Sequence, residues 1–213
     1  LVYEESDEWE THGPYGGLTT KVFIDPQDSS RIYASAAGVG LYVSHDAADN
    51  WQPAYLGTML TELVFQYYNG DRHLYIGVNE GFVHSEDDGL TWERFVPNEV
   101  DSWTGVFNFH GAWNPLEPDA VYLGVSGRPG VNNDGGLFKY SYLTGEWTRP
   151  YPHDLPVTSV AFSPADSDRI YFGSREGQFY ASSDGGITWT DPVTVSNQVV
   201  KIAVDPFQNS SSK

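Results

Sequence analysis

Apolar residues along this chain fall into short runs rich in β-branched and aromatic side chains, each cut off by a polar turn. Lys21-Val22-Phe23-Ile24 ends in Asp25-Pro26, Arg31-Ile32-Tyr33-Ala34-Ser35 follows, and Gly40-Leu41-Tyr42-Val43-Ser44 comes next. The same order returns as Ser159-Val160-Ala161-Phe162, Ser163-Pro164, Arg169-Ile170-Tyr171-Phe172-Gly173 and Gln178-Phe179-Tyr180-Ala181. Runs of this kind, bounded by Gly, Pro, Asp and Ser, predict strands and turns. No segment holds a helical apolar period for three turns, so no helix is predicted.

The strands recur on a fixed period. Ser182-Ser183-Asp184-Gly185-Gly186-Ile187-Thr188-Trp189 repeats the S-x-D-x-G-x-T-W of Ser85 to Trp92, and Ser44 to Trp51 is a worn copy. Ser141 to Trp147 is a shortened copy and Ser6 to Trp9 a remnant, so the Trp steps are 42, 41, 55 and 42 residues. A period near 40 residues is one supersecondary unit stacked repeatedly. Each unit reads as four strands, with the Trp beginning the last, and such units around an axis make an all-β propeller. The expected blades are 14–57, 58–99, 100–150 and 151–195, with partial ones at 1–13 and 196–213. Val199 to Pro206 reads as the opening of a further blade, and contact with remaining blades of a longer chain is expected.

These residues resemble the Asp-box (BNR) repeat, shared by sialidases, family-74 xyloglucanases, sortilin-type receptor propellers and a photosystem assembly factor. The spacing of D-P, R-I-Y and G-L-Y-x-S-x-D is most similar to the xyloglucanase and sortilin branch. The resemblance implies the fold, but the repeat occurs in enzymes, receptors and scaffolds alike. Within it Asp46, Asp87 and Asp184 are expected to accept N–H groups of a tight turn, next to a Gly that tolerates positive φ. Trp51, Trp92 and Trp189 should pack over those turns. These six residues are expected to be structural.

Composition narrows the partners. Eleven basic residues against 29 acidic ones give a net charge of −18, spread along the chain. Such a surface repels nucleic acid and anionic membranes, and no apolar run is long enough to insert directly into a membrane. Acidity of this kind keeps an aromatic-rich protein soluble or suits a high-salt habitat. There is no cysteine, which excludes a disulfide scaffold. The six His show no H-x-x-H or H-E-x-x-H spacing, so no zinc motif and no cofactor is expected. Asn132-Asn133-Asp134-Gly135 offers oxygen ligands that suit calcium but lacks a full ligand series, and it reads as an ordinary turn.

The third unit is the longest, and its excess lies mainly in residues 126–135, between strands two and three. A few more extra residues are expected in His110 to Pro115, as a loop on the opposite face. In a four-stranded blade, loops between strands two and three share a face with the blade-to-blade links, and the resembled enzymes place substrate there. The candidate ligand-binding residues are therefore Trp103, Arg128, Asn132, Asn133, Asp134, Tyr151 and His153. Aromatic faces stack on sugars while short polar groups select hydroxyls. The expected function is an extracellular or cell-surface recognition module for a glycan or an extended protein segment. A glycoside hydrolase acting on a β-glucan such as xyloglucan is the alternative, with Asp101 and Asp154 as its carboxylate pair. A protein scaffold is the third reading. No arginine triad supports a sialidase.

Overall fold

The computed structural model describes residues 13, 18–57, 62–78, 81–98, 108–127, 135–195, 197–199 and 201–205. β1 (Thr19–Ile24), β2 (Ile32–Ala36), β3 (Gly40–Ser44) and β4 (Gln52–Leu56) form the first sheet. β5 (Leu63–Tyr68), β6 (Asp71–Val78), β7 (Gly81–Ser85) and β8 (Glu93–Arg94) form the second. The third holds β9 (Asn108–Trp113), β10 (Ala120–Ser126), β11 (Gly135–Ser141) and β12 (Glu146–Tyr151). The fourth holds β13 (Val157–Phe162), β14 (Ile170–Ser174), β15 (Gln178–Ser182) and β16 (Val193–Thr194). Each is a four-stranded antiparallel meander in chain order, the blade of a β-propeller. The first sheet lies in one compact unit, residues 1–58, and the other three in a second, residues 59–213.

Within the second unit the second strands are deeply buried. All seven residues of β10 are buried, as are His73 to Val78 of β6. A strand covered on both faces loses the in-out alternation of a half-exposed sheet, which is why these segments read as near-continuous apolar runs. Val64, Tyr75 and Phe82 of the second sheet pack against Phe109, Val121, Leu123 and Phe138 of the third. Tyr122 and Leu137 then meet Val157, Ile170 and Phe172 of the fourth. Each such side chain contributes ~1.5–3 kcal/mol when fully buried. Close approach needs a missing side chain: a Cβ on Gly124 of β10 would sit 2.7 Å from Val157. The first strands β5, β9 and β13 line a common hollow of about 410 Å³ beside Val204, so they are the inner strands. The fourth strands β8 and β16 are exposed two-residue edges, short enough to offer little template for stray pairing.

Beyond β16 the chain returns to the fourth sheet. Val199 is buried, its N–H donates to Ser174 O at 3.0 Å, and its side chain fills the space over Gly173. Val199 thus takes toward Gly173 the position that Val157 takes toward Gly124.

Two sequence expectations are corrected. His110 to Trp113 is not a loop but most of the inner strand β9. Phe109 and Gly111 alternate inward there, and a polar-looking H-G-A-W hides that period. Nor do the three turn tryptophans begin the fourth strand, since β4, β8 and β16 start at Gln52, Glu93 and Val193. Trp51 and Trp92 stand one residue before β4 and β8, and Trp189 four before β16, while each indole N–H donates to a carbonyl three residues earlier.

Candidate functional site

The repeated turns share one hydrogen-bond scheme. Ser44, Ser85 and Ser182 donate Oγ–H to Asp46, Asp87 and Asp184 at 2.8, 2.9 and 2.8 Å. The N–H groups of Asn50, Thr91 and Thr188 donate to the same carboxylates, each at 2.8 Å. A side chain four residues past each Asp completes the set: the Asn50 amide, the Thr91 hydroxyl and the Thr188 hydroxyl. These donors lower all three carboxyl pKa values, with the side-chain donor the largest cause, and they hold Asp46 at about 2. Each carboxylate is thus engaged by its own turn. Trp51, Trp92 and Trp189 donate their indole N–H to the carbonyls of Ala48, Gly89 and Gly186 at 3.1, 3.0 and 3.1 Å. Trp189 also donates to Pro150 O of the preceding sheet at 2.9 Å.

The opposite end of the blades carries the described part of the sequence-derived site. Ser126 and Gly135 flank the β10–β11 connection, and β12 runs up beside them to Tyr151. Arg149 on β12 donates to Gly135 O at 3.2 Å and to Asp154 Oδ1 at 2.8 Å, with its guanidinium over the Phe138 ring. Asp154 and His153 are exposed. Tyr151 is half-buried in the seam between sheets, its ring against Phe172, Tyr180 and Trp189. Arg175, from the β14–β15 turn, donates to Ser126 Oγ at 3.2 Å. Sequence reasoning misses Arg149 and Arg175, because arginines scattered along the chain carry no positional signal. A groove of about 520 Å³ runs along β12, lined by Phe138, Tyr140, Trp147, Arg149 and Asn98 among others. Asp101, Trp103, Arg128, Asn132, Asn133 and Asp134 lie outside the described residues.

A second constellation lies at the Ser/Asp-turn end of the second blade. The β6–β7 register opposes Tyr75 to His84 and Leu74 to Ser85, which sets His73 diagonally beside His84 and next to Glu86. His73 Nδ1 is 3.0 Å from His84 Nε2. Glu86 Oε1 stands 3.5 Å from the first and 3.9 Å from the second of these nitrogens. Both imidazoles are buried and Glu86 is exposed. Desolvation holds the His84 pKa down at about 4, and it lowers that of His73 against the pull of Glu86 and Asp71. The Tyr142 hydroxyl of the third sheet lies 3.4 Å from His73 Nδ1 and bonds to Tyr75. Tyr75 in turn donates to Gln66 Oε1 at 2.8 Å. No spacing rule finds this cluster, because its members come from two strands and a turn. The legible trace is His84-x-Glu86, one strand after His73.

No protein-family model matches the chain. It is 25% identical over 219 residues to xyloglucanase Xgh74A of Acetivibrio thermocellus, across 83% of this chain and 25% of that protein. It is 26% identical over 201 residues to a probable oligoxyloglucan-reducing end-specific xyloglucanase of Neosartorya fischeri, across 82% of this chain and 23% of that one. The GH74 xyloglucanase structure from Xanthomonas campestris superposes with a TM-score of 0.67 at 18% identity, covering 89% of this chain and 34% of that chain. The resemblance to family-74 propellers is therefore supported, and the chain spans about a quarter of the length of the curated relatives it matches.

Proposed function

We propose that these blades are part of an extracellular β-glucan-active propeller of the family-74 kind, built on Asp-box repeats. The glycan would lie on the end where the β10–β11 connection meets the β12–β13 link. The observation that carries this reading is the similarity to xyloglucan-degrading enzymes across more than four fifths of the chain. The geometry supports the placement: an exposed carboxylate, an exposed imidazole and two arginines gather there, beside a groove with aromatic walls. Hydrolysis with inversion needs two carboxyls roughly 6.5–9.5 Å apart, and Asp154 with Asp101 is the pair to test. Xyloglucan is incubated with the intact protein and with its Asp101→Asn and Asp154→Asn variants, and reducing ends are counted. Loss of about 10²–10⁴-fold in either variant fits general acid–base work; unchanged rates remove that carboxyl from the reaction.

One observation favours a second reading, glycan recognition without turnover. Asp154 is already held by Arg149 at 2.8 Å, an arrangement that stiffens a binding loop. Saturable binding of xyloglucan with no new reducing ends selects it.

A further inference from the structure

We propose that His73, His84 and Glu86 form a binding site for a zinc-class divalent metal ion, on the face opposite the glycan end. Three ligand atoms from three places in the fold converge there, with mutual distances of 3.0, 3.5 and 3.9 Å, the shortest being a hydrogen bond between the two imidazoles. Ligands held at about 2.0–2.1 Å around a tetrahedral zinc stand about 3.3 Å from one another. The two ring nitrogens face each other at hydrogen-bond distance, so the ion takes the place of their shared proton: one imidazole turns until both lone pairs meet it, and a turn of the solvent-exposed Glu86 carboxylate closes the two longer edges. Two imidazoles and one carboxylate select zinc and its first-row neighbours over calcium or magnesium, which take oxygen ligands.

The surroundings suit a cation. A surface hollow of about 300 Å³, lined by His84, Ser85, Glu86, Asp87, Thr91 and Glu93, opens at the cluster and gives an acidic route in from solvent. Tyr142 brings a hydroxyl from the next blade to 3.4 Å of His73 Nδ1, within reach of a fourth, water ligand. His₂Glu with one remaining position is a recognised zinc ligand set. The ion would pin the β7–β8 turn to β6 and tie the second blade to the third through Tyr142.

The test is zinc chloride titrated calorimetrically into chelator-treated intact protein, with calcium chloride as control. One zinc per chain is expected, with no calcium heat at the same concentrations. Glu86→Gln, an exposed change that leaves the core intact, should weaken zinc at least tenfold, and His84→Gln should abolish the site. Cobalt(II) in place of zinc should give the intense visible bands of a four-coordinate ion, absent in Glu86→Gln. No zinc heat, or equal zinc affinity in the wild type and Glu86→Gln, overturns the proposal. So does a zinc site that survives in the His73→Gln/His84→Gln double variant.

Discussion

Val199 seats its side chain on the bare Cα of Gly173, where a Cβ would lie 2.3 Å from Val199 Cγ1. The pair joins the segment after the fourth sheet to its second strand, while the Thr158 hydroxyl holds the Val199 carbonyl. Gly173→Ala should therefore lift that segment off the sheet and destabilise the second unit by about 1–3 kcal/mol, the usual cost of overpacking. Urea denaturation measures the loss, and limited proteolysis should show new cleavage near residue 199. A variant as stable and as resistant as wild type would mean that the contact is not kept in solution.

The worn turn in the first unit carries a correctable fault. Ala48 has φ 81° where Gly89 and Gly186 have 92° and 88°. A left-handed conformation costs an L-residue roughly 1–2 kcal/mol, partly offset by the chain entropy that a glycine loses on folding. Ala48→Gly should stabilise that unit by about 0.5–1 kcal/mol in urea titrations. Asn50→Thr should be nearly neutral, because the Thr hydroxyl takes the place of the amide on Asp46 at the same position in the sister turns.

Acid should weaken the metal-free fold in two stages. His84 titrates at about 4 when folded against 6.5 unfolded, so the unfolded chain binds the proton first. Its contribution is complete above pH 6.5 and is lost as pH falls toward 4. Asp46, at about 2 against 3.8, keeps its contribution above pH 3.8 and loses it toward 2. Melting temperatures followed from pH 8 to pH 3 should slope downward first below pH 6.5, and His84→Gln should reduce that first slope, to which His73, lowered by the same desolvation, also contributes. A slope unchanged in the variant would show that another group carries it.

The strands were legible because β-branched runs and turn residues repeat with the Trp period, and burial only sharpened their ends. The turn scheme was legible for the same reason: Ser, Asp and Trp stand at fixed offsets, and Asn50 replaces Thr without breaking the carboxylate's bonds. Two kinds of feature were not. His110 to Trp113 reads as a loop because its inward positions are Phe109 and Gly111, and a glycine that makes room for Phe82 carries no apolar signal. The His73, His84 and Glu86 cluster, like the reach of Arg149 to Asp154 and of Arg175 to Ser126, depends on register and blade packing. No linear spacing encodes either.

The most direct measurement is the fate of xyloglucan incubated with the intact protein, read by product size and by reducing ends. The account predicts depolymerisation or, failing turnover, saturable binding, and in either case its loss when Arg149 and Asp154 are both replaced by Ala. A protein that neither cleaves nor binds xyloglucan or any other β-glucan, yet is folded by circular dichroism, would contradict it.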